Sequence, residues 1–83
     1  MRIGKFVVKQ STLKSKKIDT KFYLQVLFRS AVIVSEVVNK LNKTIEYKAI
    51  CDQFDDVKEG DEVPYYTYQI IRKENKVKFT KVT

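Results

Sequence analysis

Histidine and tryptophan are absent from this chain of 83 residues, and cysteine occurs once, at Cys51. With no histidine and a single thiol, neither a structural zinc site nor an intrachain disulfide framework can be built. No nucleophile has an imidazole base beside it, so Cys51, which falls on an alternating pattern, reads as a core thiol rather than a reactive one. A lone cysteine also fits a reducing compartment. Glycine occurs twice and proline once, which leaves no glycine-rich phosphate cradle. Long apolar runs are missing too. The longest, Ala31 to Val34, falls far short of the ~20 residues that span a bilayer, and the N-terminus lacks the apolar region of a signal peptide. The expectation is a cytoplasmic protein with no cofactor, no membrane contact and no small-molecule substrate. It is not expected to be an enzyme, since hydrolysis or group transfer would have to rest on carboxylates alone.

Basic residues are abundant. Seventeen Lys and Arg against ten Asp and Glu give a net charge of +7 and a pI near 9.6, a balance that points to a polyanionic partner. A chain of this length forms one domain, residues 1–83, and buries only roughly 60 to 65% of its unfolded surface, so its core is small. The apolar run Ala31 to Val38 then implies a sheet edge or patch that needs cover, and predicts a homodimer built partly on that segment.

Hydrophobic periodicity favours strands. Arg2 to Lys9 reads as a short central strand, with Gly4 marking a bulge or a close backbone approach. Gln10 to Thr20 is polar and lysine-rich and reads as a long loop, a basic arm. Phe22 to Arg29 alternates with period two, placing Phe22, Leu24, Val26 and Phe28 on one face and Tyr23, Gln25, Leu27 and Arg29 on the other. Ser30 to Asn42 fits two templates. Val34, Val37, Val38 and Leu41 make a helical stripe behind an N-cap at Ser30, but the crowding of β-branched residues favours a strand followed by a turn over Asn39 to Lys43. Thr44 to Asp52 is a strand with Ile45, Tyr47, Ala49 and Cys51 inward. Tyr65 to Arg72 and Val77 to Val82 form a hairpin around Lys73-Glu74-Asn75-Lys76, where Asn tolerates the left-handed conformation of a tight turn. The fold class is therefore all-β, a small five- or six-stranded antiparallel barrel, with α+β the alternative if Ser30 to Asn42 is helical.

Cations and tyrosines share these segments. Lys14, Lys16, Lys17 and Lys21 lie along the basic arm, Arg29 ends the Phe22 strand, and Arg72, Lys73 and Lys78 decorate the C-terminal hairpin. Strand parity turns Tyr23 and Tyr65 outward, where flat rings can stack on bases. Together they define a candidate site for single-stranded nucleic acid in a groove between the arm and the hairpin. The window Asp52 to Glu62 holds Asp52, Asp55, Asp56, Glu59, Asp61 and Glu62, more than half of the ten acids. It lacks the spacing of a calcium loop and reads as a solvated acidic loop, with Gly60 at a turn position needing positive φ.

The Val57-Lys58-Glu59-Gly60-Asp61-Glu62-Val63 turn feeding an aromatic strand resembles the entry to a late strand in small oligonucleotide-binding barrels. The outline of short strands, a basic loop after the first, and interspersed tyrosines resembles, over most of the chain, the small single-stranded-DNA-binding proteins of filamentous and other phages. That resemblance implies an OB-like barrel, commonly dimeric, which coats single-stranded DNA through strand tyrosines and basic loops. A different reading of the same charge pattern is a small mobile-element inhibitor that binds a host protein through the acidic window.

Overall fold

A computed structural model describes residues 1–82. Strand β1 (Ile3–Lys9) is followed by a single turn of helix, α1 (Gln10–Leu13), and by the longer helix α2 (Ile18–Ser30). Strands β2 (Val32–Asn39), β3 (Thr44–Ile50), β4 (Tyr66–Ile71) and β5 (Lys76–Lys81) complete the chain. The protein is mostly β, 45% strand against 24% helix, but the strands do not close into a barrel. They form a three-stranded antiparallel sheet in the order β1-β3-β2 and a hairpin β4-β5. The two meet where Lys5 lies parallel to Tyr65 and donates its backbone N–H to Pro64 O at 2.9 Å. The central position expected for β1 falls to β3; β1 lies at the edge of the three-stranded sheet, and the bridge at Lys5 sets it against the hairpin.

The main correction concerns Phe22 to Arg29, which is helix and not strand. Both β1 and β2 run antiparallel to β3, so β1 and β2 are parallel to each other, and parallel strands need a crossover of about a dozen residues. α2 is that crossover. Six of the eight residues from Phe22 to Arg29 are apolar, a density that satisfies either period, and the choice falls to tertiary context. As a helix the segment buries Val26 and Leu27 fully and Phe22, Leu24 and Phe28 in part against the sheet. Asp19 in its first turn and Arg29 in its last carry the signs that complement the helix dipole. The basic arm is correspondingly shorter than a loop from Gln10 to Thr20, because α1 and the start of α2 consume most of it.

Other expectations hold. Val32–Asn39 is a strand, followed by a turn in which Asn39 Oδ1 accepts the Asn42 N–H at 3.0 Å and Lys43 takes φ 55°. The C-terminal hairpin turns through Arg72–Glu74 with Asn75 left-handed at φ 52°, and Gly60 has φ 90°. Cys51 is buried. No helix among the described residues is long and apolar enough to cross a membrane.

The core forms on one side of the strands. Phe6 and Val8 of β1, Tyr47 and Ala49 of β3, and Val77 and Phe79 of β5 meet Val26 and Leu27 of α2. Phe54 stacks on Tyr66 with ring centroids 4.4 Å apart, and both rings lie over Gly4. A Cβ at Gly4 would sit 2.6 Å from the Tyr66 ring and 3.0 Å from Phe54, so the close approach expected there is real. At the far edge, the Gln53 amide donates to Val77 O at 2.8 Å and accepts the Phe79 N–H at 2.9 Å, covering the open side of β5 with a side chain in place of a strand. Gly4→Ala is expected to destabilise the fold by about 1 to 3 kcal/mol, the usual cost of overpacking. The check is a lower urea midpoint with an unchanged slope.

Candidate functional site

Register fixes which residues share an end of the molecule. Ile3 faces Ile50 and Lys9 faces Thr44, so β1 has an Ile3 end and a Lys9 end. β2 runs from Val32, opposite Ile50, to Asn39, opposite Thr44. β4 starts beside Lys5 and runs parallel to β1, then returns as β5. The α1–α2 link, the β2–β3 turn and the β4–β5 turn therefore all lie at the Lys9 end, while the long Cys51–Tyr65 connection lies at the Ile3 end.

This sorting separates the charges. At the Lys9 end gather Lys14, Lys16 and Lys17 from the link, Lys40 and Lys43 from the β2–β3 turn, and Arg72, Lys73 and Lys76 from the hairpin, joined by Lys9 and Lys21. Only Asp19 and Glu74 oppose them there. Two contacts tie the segments together. Gln10 donates its backbone N–H to Lys43 O at 2.9 Å, and Arg72 pairs with Asp19 at 2.8 Å across exposed surface, a bridge that positions more than it stabilises. A cavity of about 350 Å³ opens between the link and the β2–β3 turn, lined by Lys9, Gln10, Ser11, Lys14, Asn42, Lys43 and Thr44. Lys9, Lys14 and Lys43 give this depression a cationic rim.

The Ile3 end carries the acids. Asp55, Asp56, Asp61 and Glu62 border a second depression with Lys81. The terminal amine of Met1 holds the Asp56 carboxyl below its ordinary range by hydrogen bonding and by charge. Asp55 accepts from Lys81 Nζ at 2.8 Å and pushes that ammonium's pKa up.

Of the residues selected by sequence, Lys14, Lys16, Lys17, Lys21, Arg72 and Lys73 come together at the Lys9 end. Lys78 lies midway along β5, on the face away from the buried Val77 and Phe79. Arg29 and Tyr65 do not join them. Arg29 is in the last turn of α2, beside a cavity shared with Cys51 and Asp52 at the acidic end. Tyr65 is exposed, as parity predicts, and Tyr66 is buried, but Tyr65 lies beside the middle of β1, with its hydroxyl on Glu46, which faces Val7, and Lys5 Nζ 5.2 Å from its ring centre. Tyr23 owed its outward placement to a strand that does not form. On α2 it is half-buried, edge-on to Phe22 at 6.1 Å. The Asp19–Arg72 pair bridges the start of α2 and the hairpin turn, across the span where the sequence places a groove. Lys9, Lys40, Lys43 and Lys76 were not selected, although each borders a turn whose position the sequence indicates.

No family model matches the chain, and no curated protein or solved structure matches it.

The contact between Tyr65 and Glu46 is open to a direct test. The Tyr65 hydroxyl donates to Glu46, and that bond, followed by burial and the charges of Glu46 and Glu62, raises its pKa above the ordinary 10.0. A phenolate cannot donate and is repelled by the carboxylates, so Tyr65 stays protonated to higher pH. Glu46→Gln is expected to lower the ionisation pH of Tyr65 toward the ordinary value, followed by phenolate absorbance against a Tyr65→Phe control.

Proposed function

We propose that the protein binds single-stranded nucleic acid, most naturally DNA, through the cationic end of the molecule and without sequence specificity. The observation that carries this reading is the convergence of three separate basic segments at one end, around a cavity bordered by Lys9, Lys14 and Lys43, with most of the acids held at the other. Clustered Lys and Arg neutralise phosphates and release counterions whatever the sequence. Tyr23, one turn into α2 from that end, is the ring best placed to meet a base. The resemblance of the sequence outline to small phage single-stranded-DNA-binding proteins points to the same ligand class, although the strands form two sheets and no closed barrel. A second reading draws on the opposite end, where the gathered carboxylates would suit a basic protein surface, as in an inhibitor of a host protein.

Titration of labelled single-stranded DNA, duplex DNA and single-stranded RNA at several salt concentrations separates the two. If about five phosphates are engaged, log affinity falls against log salt with a slope of roughly −3.5 for a single strand. Lys16→Ala with Lys17→Ala flattens that slope by roughly 1.4, at about 0.7 per phosphate lost. Tyr23→Ala costs about 1 to 3 kcal/mol on single strands. Arg29→Ala, at the acidic end, leaves the slope unchanged. Affinity indifferent to salt, or a loss from Arg29→Ala equal to that from the Lys16 and Lys17 pair, refutes the proposed site and favours the protein partner.

A further inference from the structure

The assembly has two outer strand edges, and they are finished differently. The Gln53 amide occupies backbone groups of β5 at Val77 and Phe79. Beyond its pairing with β3, no hydrogen bond among the described residues reaches β2 between Val32 and Val38. β2 is also exposed at all eight positions, and none of its residues belongs to the buried core. Val32 is 68% exposed, Val37 60% and Val38 50%, and Leu41 in the following turn 91%. An open, β-branched edge strand with apolar side chains on both faces is a template for pairing with another chain.

We infer that β2 is the seam of a two-fold symmetric dimer, in which β2 of a second copy adds antiparallel to it and the two three-stranded sheets become one of six strands. A second copy fits better than a foreign strand on three grounds. A two-fold pair uses one patch twice, so the same edge supplies both partners. Antiparallel pairing also turns the second copy end for end, bringing its basic end beside the acidic end of the first. Last, the footprint is adequate. Val, Ile and Leu side chains each carry roughly 60 to 120 Å² of apolar surface. With its backbone edge, such a strand reaches the small class of interfaces, under about 1,200 Å² in total, which suits a dissociation constant in the micromolar range.

The register follows from the strand itself. β2 skips Val34 in its pairing with β3, and this bulge leaves Ser35 to Asn39 as the straight run. Its midpoint is Val37. An axis there sets Val37 against its own copy, Ser35 against Asn39 of the second copy, and Glu36 against Val38. An axis at Glu36 would oppose two carboxylates, which is unfavourable.

Sedimentation equilibrium of the full chain is expected to give twice 9.8 kDa at tens of micromolar, with dissociation on dilution. Val37→Lys, a charge at an exposed edge position, should raise the dissociation constant at least tenfold while far-ultraviolet circular dichroism stays unchanged. As a second measurement, Val37→Cys should cross-link under mild oxidation. Directly opposed residues of antiparallel strands lie about 4.5 to 5.5 Å apart, within disulfide reach of about 4.4 to 6.8 Å, whereas Leu41→Cys, more exposed but off the axis, should lag. A parent that is monomeric at these concentrations overturns the proposal. So does a dimer that Val37→Lys leaves intact, or a Val37→Cys that cross-links no faster than Leu41→Cys. Because none of these readings involves nucleic acid, the seam and the cationic site can fail independently.

Discussion

β1 is bonded on both edges, to β3 along its length and to the start of β4 through Lys5 and Pro64, and every other element takes its place from that arrangement. The β4 side tolerates little error. The hairpin can approach only because Gly4 presents bare backbone to the Tyr66 ring, and Tyr66 in turn holds the connection after β3 in place, accepting the Asp55 N–H on its hydroxyl at 2.7 Å and stacking on Phe54. Arg2 fastens the same connection from below by donating to Phe54 O at 2.9 Å. One missing side chain thus aligns the hairpin, the acidic connection and the N-terminus at once. A small core, which cannot rely on sheer buried area, gains definition from such contacts.

From β1 the charge pattern follows by direction alone. Each element reverses the one before it, so successive connections alternate between the two ends of the molecule. Lysines fall in the first, third and fifth of these connections and carboxylates in the fourth. A chain with mixed charges along its length folds into one with segregated charges in space. The short contacts at the basic end, Gln10 to Lys43 and Arg72 to Asp19, keep the lysine-rich segments adjacent despite their mutual repulsion.

Much of this was legible residue by residue, and less of it as a whole. Asn75 and Gly60 announced left-handed turns because few residues tolerate them. The alternation from Thr44 to Cys51 gave the inward face of β3 correctly, with Tyr47 and Ala49 buried, and the β-branched crowding of Val32 to Val38 outweighed its helical stripe. Phe22 to Phe28 misled because a run apolar at nearly every position carries no period. What decided it was the need for a crossover between two parallel strands, a demand that local pattern does not display. The same error spread to the site. Parity along a strand reports which face a side chain takes, never its place along the molecule, so Arg29 from the opposite end and Tyr65 from the middle of the sheet were joined to the lysines, and Lys9, Lys40, Lys43 and Lys76 were passed over.

Segregation also changes what a polyanion senses from a distance. Strands of seven or eight residues, at about 3.3 Å each, hold the two ends more than 20 Å apart, several times the ~8 Å over which physiological salt screens a charge. The ends therefore act separately, and the net charge of +7 is essentially that of the Lys9 end, because the carboxylates elsewhere are nearly balanced by the remaining cations. A polyanion meeting the molecule at random exerts a torque on it, turning the lysine-bearing pole inward and the carboxylates out to solvent before any contact forms. For the ligand class proposed above, orientation would then be settled during approach.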